Sequence, residues 1–514
     1  MRTWTPKFTR KWASALTAVA VAASFGALSV APGVTAVPAA QAATVYPPGG
    51  PDQTPVMGWS GWSFLRLGAD AAQVEGEASA LVSTGLAAAG YRYVNIDDGW
   101  YQCPGPQGPN VDAYGRWVIN SANYPSVGSE NGIQALAAYV HGLGLKFGIY
   151  LTPGISSQAV AQNTPILGTS YTADQIATTK QDNNYNCGGM VGINYQAPGA
   201  QAYTDSVVDE LASWGVDYIK LDGIANSNRA DVKAWQAAIH QSGRPMVLNI
   251  TQGSYTIKIA PLLKQYANQW EFTPDIEING PDEGSANACN APPFAGCLSV
   301  FPLTSYAHWS DRFGAVAQWQ PYGGPGGFND YDSIEVGDGS ADSGMSLAAS
   351  ESQLSLWALG SAPLILGSDL TTAVTNAYGT STGVTRRDFR LLTNRQVIRV
   401  DQDAIDASRI AVTGTPGRKT AGDQVFAKVD RRGDGIVGLF NTTTARSSAP
   451  VTISTTAAAI GLPPDPHGYL VQDLWGGQSV VVGGATFFRI SSAGVIQATV
   501  PAEGAALYRV IPLR

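Results

Sequence analysis

Carboxylates stand at the ends of several short apolar segments of the sequence. Asp97 and Asp98 end YRYVNIDD, Asp222 ends YIKLD, and Asp275 ends WEFTPD. Glycoside hydrolysis needs two carboxylates beside a bound sugar, one to attack the anomeric carbon and one to protonate the departing oxygen. A single Asp at a strand end is also a common helix cap or turn former. Because such residues recur at several strand ends, the sequence favours one shared site.

Lys220 lies within one of these apolar segments, two residues before Asp222. Side chains alternate along a strand, so Lys220 and Asp222 share one face, which in a barrel is the interior. Burying both is costly unless each has a partner, so they either form a structural ion pair or face a polar ligand pocket. Trp59, Trp62 and Trp100, near other strand ends, offer flat faces that stack on sugars, although tryptophan is also an ordinary core residue.

The elements that would position these residues alternate along residues 43–405. Short apolar segments are separated by stretches with apolar residues at helical spacing. The predicted strands are PVMGWS (55–60), YRYVNIDD (91–98), KFGIYL (146–151), YIKLD (218–222), MVLNIT (246–251), WEFTPD (270–275), a segment near VAQWQP (316–321) and APLILG (362–367). Eight strands alternating with helices predict an α/β fold, a (β/α)8 TIM barrel with its chemistry at the strand ends, although the spacing alone also suits a doubly wound sheet.

A second pattern begins near Arg409, and it predicts a separate domain over residues 406–514. Short alternating segments are broken by Gly, Thr and Pro, with no helical periodicity. This pattern is typical of an antiparallel β-sandwich. The predicted strands are QVFAKVD, GIVGLFN, APVTIST, TFFRISS and EGAALYRVIPL.

Residues 1–42 have the pattern of a secretory signal peptide. Four cations precede an apolar stretch, and Ala40-Gln41-Ala42 forms a small-x-small cleavage site. A membrane anchor is the alternative, which the break at Pro32 and Gly33 disfavours. We therefore expect a secreted, extracellular protein with no membrane contact after cleavage.

The four cysteines fit an oxidising compartment, where an even count usually means disulfides. We predict that Cys289 pairs with Cys297, which closes the shortest loop, and that Cys103 pairs with Cys187. A zinc site is disfavoured because there is no C-x-x-C and the four histidines are scattered.

The charge balance excludes some classes of partner. The net charge is −8, and no Lys/Arg cluster follows the first residues. The sequence therefore shows no basic patch that would bind nucleic acid or an anionic membrane. The expected partner is an oligosaccharide or polysaccharide, and no metal or other cofactor is expected.

An ordered set of segments resembles glycoside hydrolase family 27, the α-galactosidases and their relatives. The resemblance covers most of residues 54–405, in the segments TPVMGWSGWSFL, YVNIDDGW, GLKFGIYLTPG, VDYIKLDGI, GGPGGFNDYDSIEVG, LWALGSAPLILGSDL and NRQVIRVDQD. The segment VDYIKLDGI, for example, is similar to the family's nucleophile strand D-Y-L-K-x-D. The resemblance implies a retaining glycosidase built from a (β/α)8 barrel and a C-terminal antiparallel β domain.

The resemblance also implies a role for each matched residue. Asp222 would be the nucleophile and Asp275 the general acid and base. The other positions would contact the sugar, with Asp97 and Asp98 on its O4 and O6 side, Lys220 at O3 and O4, and Trp62 and Tyr150 lining the pocket.

The departures from the family pattern lie on the O2 side of the sugar. Glu271 replaces the Arg that reads the 2-hydroxyl, and Thr251 lies at or near the position of a Glu after strand 5. Galactose is the leading sugar, but the same family contains β-L-arabinopyranosidases and isomalto-dextranases, and a non-catalytic sugar-binding protein is a further alternative. If Glu271 lies close to Asp275, it should raise the pKa of that carboxyl.

Overall fold

Eight parallel strands form the sheet that carries the strand-end carboxylates. The computed structural model describes residues 53–252, 256–276, 305–338, 345–371, 384–410, 423–444, 448–476, 479–481 and 486–514. The first strands in chain order are β1 (Met57–Ser60), β2 (Tyr93–Asn95), β3 (Lys146–Leu151), β4 (Ile155–Ser156), β5 (Ala177–Asp182), β6 (Met190–Ile193), β7 (Tyr218–Ile224), β8 (Val247–Gln252), β9 (Gln269–Glu271), β10 (Phe328–Asp330) and β11 (Leu364–Leu366).

The strand order of this sheet is that of a closed barrel. The strands pair in the order β10-β9-β8-β7-β3-β2-β1-β11. A parallel bridge joins Leu366 of β11 to Ile334, which lies four residues after the end of β10. The predicted (β/α)8 barrel is therefore confirmed, while β4, β5 and β6 form a small separate sheet after β3.

Helices cover the outside of the barrel between its strands. One example is the helix Ala71–Ser83, where Asp70 Oδ1 accepts from the Gln73 backbone N–H at 2.9 Å and Gln73 Oε1 accepts from the Asp70 backbone N–H at 3.1 Å. This reciprocal pair satisfies donors that a helix start leaves open. The described α-helices are Trp62–Leu65, Ala71–Ser83, Leu86–Ala89, Gly132–Gly142, Ser157–Gln162, Ala173–Ile176, Ala200–Ser213, Arg229–Ser242, Ala260–Tyr266, Arg312–Trp319, Leu347–Leu359, Arg386–Leu392 and Arg395–Asp401.

One predicted strand was wrong. The segment 316–321 is helical, since Arg312–Trp319 forms an α-helix that buries Val316 and Trp319. These apolar residues are three apart, which is the spacing of one helix face. The strand at this place in the barrel is β10, which has three residues and follows a glycine-rich loop. Gly324 and Gly326 in that loop have φ of 147° and 85°, the positive values that glycine permits.

The C-terminal part forms two antiparallel sheets, which confirms the predicted β-sandwich. Its strands are β12 (Ser408–Ile410), β13 (Asp423–Val429), β14 (Gly435–Asn441), β15 (Val451–Thr456), β16 (Tyr469–Asp473), β17 (Phe487–Ile490), β18 (Val495–Val500) and β19 (Ala505–Pro512). Six of them pair in the order β12-β13-β14-β19-β16-β17, and β15 pairs with β18. The sequence prediction missed β12, β16 and β18. Of these, β16 and β18 are short but alternate between buried and more exposed residues.

The sandwich docks on the barrel through aromatic rings and one buried cation. The Phe313 ring of the barrel lies 6.2 Å from Phe426 and 5.1 Å from Phe440, between ring centroids. The ammonium of Lys428, with three N–H donors, lies within 3.2 Å of five acceptors of the barrel side, namely the carbonyls of Ala358, Val400 and Ile405, Ser361 Oγ and Asp403 Oδ1. Burial lowers the pKa of Lys428, and the Asp403 carboxylate at 2.8 Å opposes this effect.

Replacing Lys428 with Met should destabilise the protein by about 3–5 kcal/mol, because it leaves the largely buried carboxylate of Asp403, 13% exposed, without its cation. Urea unfolding followed by tryptophan fluorescence measures the change. The exposed Lys258 provides a matched control, and Lys258→Met should change the free energy of unfolding by less than about 0.5 kcal/mol. Equal stability of the two variants would show that the interface does not depend on this cation.

Three further sequence predictions concern the signal peptide, the disulfide bonds and membrane contact. Residues 1–42, with the predicted signal peptide, and the pair Cys289 and Cys297 lie outside the described residues. The predicted bond between Cys103 and Cys187 is confirmed. Among the described helices, none is both long and apolar enough to cross a membrane.

Candidate active site

Lys220 of β7 lies at the centre of the acidic end of the barrel. Its Nζ donates to Asp97 Oδ2 at 2.7 Å and lies 5.9 Å from the ring centroid of Tyr150. Burial alone would lower the pKa of this ammonium, but the carboxylates of Asp97, Asp222 and Asp275 outweigh burial and raise the pKa well above its ordinary value. The ammonium therefore stays charged and joins carboxylates that come from three different strand ends.

Asp98 is held by donors from two segments. Tyr101 donates its hydroxyl to Asp98 Oδ1 at 2.6 Å, the Gly99 backbone N–H donates to the same oxygen at 2.7 Å, and Asn186 Nδ2 donates to Oδ2. Burial raises the pKa of Asp98 to about 6 with a contribution from Asp97, although these hydrogen bonds act in the opposite direction. The carboxyl is therefore fixed in position and ionised near neutral pH.

Asp222 stands where β7 becomes irregular. The pairing of β7 with β8 shifts register between Leu221 and Ile224, and such a bulge re-aims the side chains next to it. The Gly223 backbone N–H donates to Asp222 Oδ1 at 2.6 Å, and the Tyr150 hydroxyl donates to Oδ2 at 3.1 Å.

The pKa of Asp222 reflects opposing influences. Burial raises it to about 7, whereas the Lys220 charge and the hydrogen bond from Tyr150 favour the ionised form. Below about pH 7 the carboxyl therefore becomes protonated and cannot attack a carbon centre.

Three carboxylates meet on the other side of the site. One oxygen from each of Glu271, Asp275 and Asp332 lies within 4.8 Å of the others. Glu271 is buried at the end of β9, and burial followed by the charges of Asp332 and Asp275 raises its pKa well above the ordinary value. Repulsion from its neighbours and burial therefore both favour the protonated form of Glu271. Such oxygens are also typical ligands of divalent cations.

A buried arginine fixes the position of Asp332. Arg312 Nη2 donates to the Pro274 carbonyl at 2.9 Å and to Asp332 Oδ2 at 3.5 Å. The Ile276 backbone N–H donates to the same carboxylate oxygen at 2.8 Å. Asp332 has φ 70°, in the left-handed region that few residues other than Gly, Asn and Asp adopt. The backbone on both sides of Asp275 is thereby tied to the loop that follows β10.

Two further predicted contact residues stand at the same end of the barrel. Thr251 is buried near the end of β8. Trp62 begins the short helix after β1, is half-buried, and has the Arg66 guanidinium carbon 4.7 Å from its ring centroid. Both positions follow from the parallel strands, whose carboxyl ends all reach one rim.

Comparisons with known proteins agree with this fold. The chain matches the alpha galactosidase A family over residues 54–179 and 304–403, and the alpha galactosidase C-terminal beta sandwich domain over residues 420–510. It is 30% identical to an alpha-galactosidase of Oryza sativa subsp. japonica, over 84% of this chain and 81% of the relative. The alpha-galactosidase of Coffea arabica is also 30% identical, over 89% of this chain and 94% of the relative. The chain belongs to glycoside hydrolase family 27.

Solved structures of family 27 enzymes share both domains with this chain. A β-L-arabinopyranosidase from Geobacillus stearothermophilus aligns with a TM-score of 0.71 at 26% identity, covering 90% of this chain and 97% of that chain. Alpha-galactosidase I from Mortierella vinacea aligns with a TM-score of 0.62 at 25% identity, covering 90% and 98%. The chain is therefore a glycoside hydrolase of the α-galactosidase type.

The family 27 fold brings most of the predicted site residues into direct or shared contact. Direct contacts join Asp97 to Lys220 and Tyr150 to Asp222. The charge of Lys220 couples this half of the site to Asp275, which lies against Glu271.

Sequence reasoning missed three contributors to this family 27 site. Asn186 reaches Asp98 from a segment after β5 that has no strand or helix signal. Asp332 stands within the glycine-rich motif, where only the motif as a whole gave a signal. Asp330 is buried and accepts from Asn249 Nδ2 at 2.6 Å, and burial followed by the charge of Asp332 raises its pKa to about 6.

Proposed function

We propose that this family 27 enzyme is a retaining exo-glycosidase in which Asp222 is the nucleophile and Asp275 the general acid and base. The observation that supports this most is the contrast between the two carboxyl environments. Burial raises the pKa of Asp222 to about 7, and two hydrogen bonds and a nearby ammonium oppose burial by favouring the ionised nucleophile. Asp275 lies among other carboxyls, which favour a protonated acid.

The reaction then has two steps. In the first, Asp222 attacks the anomeric carbon and forms a glycosyl-enzyme, while Asp275 gives its proton to the leaving oxygen. In the second, Asp275 takes a proton from water, and the resulting attack releases the sugar and restores Asp222. The protein supplies every group that these steps need, so the proposal includes no cofactor.

The sugar should be galactose or one with the same ring configuration. Asp97, Asp98 and Lys220 form a fixed polar edge that suits the O3, O4 and O6 side of such a ring. α-D-Galactopyranosides and β-L-arabinopyranosides share their ring hydroxyl configuration, and only galactose carries C6. The likeness to the Geobacillus enzyme supports the arabinopyranoside as the second candidate.

The O2 side differs from that of galactosidases in this proposal. Glu271 presents a carboxyl where the family has an arginine, and Thr251 presents a hydroxyl at or near the place of a glutamate. A protonated Glu271 can donate a hydrogen bond to a sugar hydroxyl, so recognition of O2 remains possible without the arginine.

Initial rates on three substrates test this assignment. Aryl α-D-galactoside, aryl β-L-arabinopyranoside and isomaltotriose are compared, with Asp222→Asn as the inactive control. We expect turnover of the galactoside, lost in the control. Hydrolysis of the arabinopyranoside alone would change the sugar assigned to the enzyme but would leave the proposed mechanism unchanged. Sugar binding without hydrolysis of any substrate would overturn the catalytic proposal.

Glu271→Gln should move the alkaline limb of the pH–rate profile to lower pH. The carboxyl of Glu271 lies within 4.8 Å of Asp275, and once Glu271 ionises, its negative charge raises the pKa of Asp275. The neutral amide of Gln lowers that pKa, so Asp275 loses its catalytic proton at lower pH. Rates measured from pH 4 to 10 show the change, and an unchanged alkaline limb would contradict the role of Glu271.

The proposed cellular location is extracellular, with residues 1–42 removed as a signal peptide. The bond between Cys103 and Cys187 supports an oxidising compartment. The mature protein would then comprise a catalytic barrel over residues 43–405 and a β-sandwich domain over 406–514. Sequencing the N-terminus of protein recovered from culture medium tests this proposal, with Ala43 as the expected first residue.

A further inference from the structure

Tyr185 is a large aromatic side chain that remains half exposed near the site. The residue is 50% exposed, so part of its ring is open to solvent. It belongs to the segment Asn183–Cys187, here named the rim segment, which lies between β5 and β6.

The rim segment is held rigidly although it has no regular secondary structure. Cys187 is bonded to Cys103, and its backbone N–H donates to Asn184 Oδ1 at 3.0 Å. Asn184 Oδ1 also lies 3.1 Å from the Tyr101 hydroxyl oxygen. Because Asn186 donates to Asp98, the segment is attached both to the loop after β2 and to the sugar-binding carboxylates.

Tyr185 lies beside the two proposed catalytic carboxylates. A Cβ atom placed on Gly223, the residue after Asp222, would be 3.6 Å from Tyr185 Cε2. Partial burial raises the pKa of the Tyr185 phenol, and so do the charges of Asp222 and Asp275. The ring therefore lies next to the strand end that carries Asp222 and within electrostatic range of Asp275, and part of its surface is open to solvent.

We propose that Tyr185 forms the leaving-group subsite, where its ring stacks on the sugar that departs when the glycosidic bond is cleaved. This inference rests on the proposed function, since it needs Asp275 to be the acid. The leaving oxygen must lie within hydrogen-bond reach of Asp275, so the sugar attached to that oxygen must pass next to the rim segment. An exposed aromatic face on a rigid segment is suited to a sugar ring because little ordering is needed on binding.

Two substrates with the same glycosyl group separate this role from others. Melibiose loses a glucose, whereas α-D-galactosyl fluoride loses a fluoride ion that cannot stack on a ring. Should the substrate survey favour the arabinopyranoside, the matching pair is an arabinopyranosyl disaccharide and β-L-arabinopyranosyl fluoride. The measured quantity is kcat/KM of the full-length protein and of each variant.

Tyr185→Ala should lower kcat/KM for the disaccharide by about 10-fold or more and for the fluoride by less than about 2-fold. Tyr185→Phe keeps the ring and should stay within about 3-fold of wild type on both substrates. The exposed Tyr171, whose ring packs at Gly199, serves as the control position, and Tyr171→Ala should change neither rate.

Other results would overturn the inference. Equal losses on both substrates would place Tyr185 in the sugar site or in the fold, and no loss on either would remove it from substrate binding. If Tyr185→Phe were as impaired as Tyr185→Ala, the hydroxyl rather than the ring would be the binding group. A wild-type protein that cleaves neither substrate would instead contradict the proposed function itself.

Discussion

Asp222→Asn should lower kcat by about 10⁴-fold or more on every substrate while the protein remains folded. An amide cannot form the glycosyl-enzyme, so the loss does not depend on the leaving group. The measurement is steady-state hydrolysis of the preferred aryl glycoside and of a disaccharide. Asp209→Asn, an equivalent change at an exposed position on the helix Ala200–Ser213, should leave both rates within about 2-fold of wild type.

The Asn variant should not be less stable than the wild type at pH 8. Burial raises the folded-state pKa of Asp222 from 3.8 to about 7, so the folded protein holds this proton more tightly than the unfolded chain. Stability from this group is therefore present at low pH and is lost as the pH rises through about 7. The neutral amide of Asn does not ionise, so the variant avoids this loss of stability at high pH. A thermal midpoint lower than that of the wild type at pH 8 would show that Asp222 has a structural role.

Chemical rescue distinguishes a nucleophile from a binding residue. Asp222→Gly opens space for azide to attack the anomeric carbon in place of the carboxylate. We expect azide to restore turnover of a substrate with a good leaving group and to yield a glycosyl azide whose anomeric configuration is opposite to that of the substrate. A product that keeps the substrate's configuration would contradict the assignment of Asp222.

Asp275→Ala should show a loss that depends on the leaving group. With a sugar leaving group, kcat/KM should fall by about 10³-fold or more, within the range for general acid catalysis. With fluoride or dinitrophenolate, which depart without protonation, kcat/KM should fall by less than about 10-fold. Comparing the two substrate classes measures the contribution of the acid alone.

The second step of the same variant provides an internal check. Without a base to activate water, the glycosyl-enzyme should accumulate, and a burst of dinitrophenol should precede slow turnover. Azide should accelerate that turnover because it needs no base. A uniform loss on all substrates without a burst would transfer the acid role to another carboxyl, for which Glu271 and Asp332 are the candidates in position.

The sequence was sufficient for the parts of the fold that repeat. β3 begins and ends where the apolar segment KFGIYL does, because that strand is long and buried along almost its whole length. β10 could not be located, because three residues are too few to show the alternation typical of a strand. The helix before it also contains a comparable apolar segment. Lys220 and Asp222 were found because an ionisable residue within an apolar strand is conspicuous.

The residues that complete the site were hidden for a different reason. Asn186 and Tyr185 stand in a segment without periodicity, and their position depends on a disulfide to a cysteine 84 residues earlier. The proximity of Glu271 to Asp332 arises from two strands that are distant in sequence and adjacent in the sheet. A local sequence pattern does not predict contacts between residues that are distant in sequence. Once a barrel is assumed, the order of its strands predicts which strand ends are neighbours.

The order in which the chain is synthesised has a consequence for the interface that Lys428 completes. β1 can pair with β11 only after Leu364–Leu366 has been synthesised, so the barrel cannot close until most of the chain exists. The carboxylate of Asp403 and the carbonyls of Val400 and Ile405 lack their ammonium donor until Lys428, about 25 residues further along the chain, has been synthesised. A nascent barrel released before that point would expose these acceptors together with Phe313. The two domains should therefore fold as one late cooperative event, and ribosome-bound chains that stop before β13 should remain sensitive to protease.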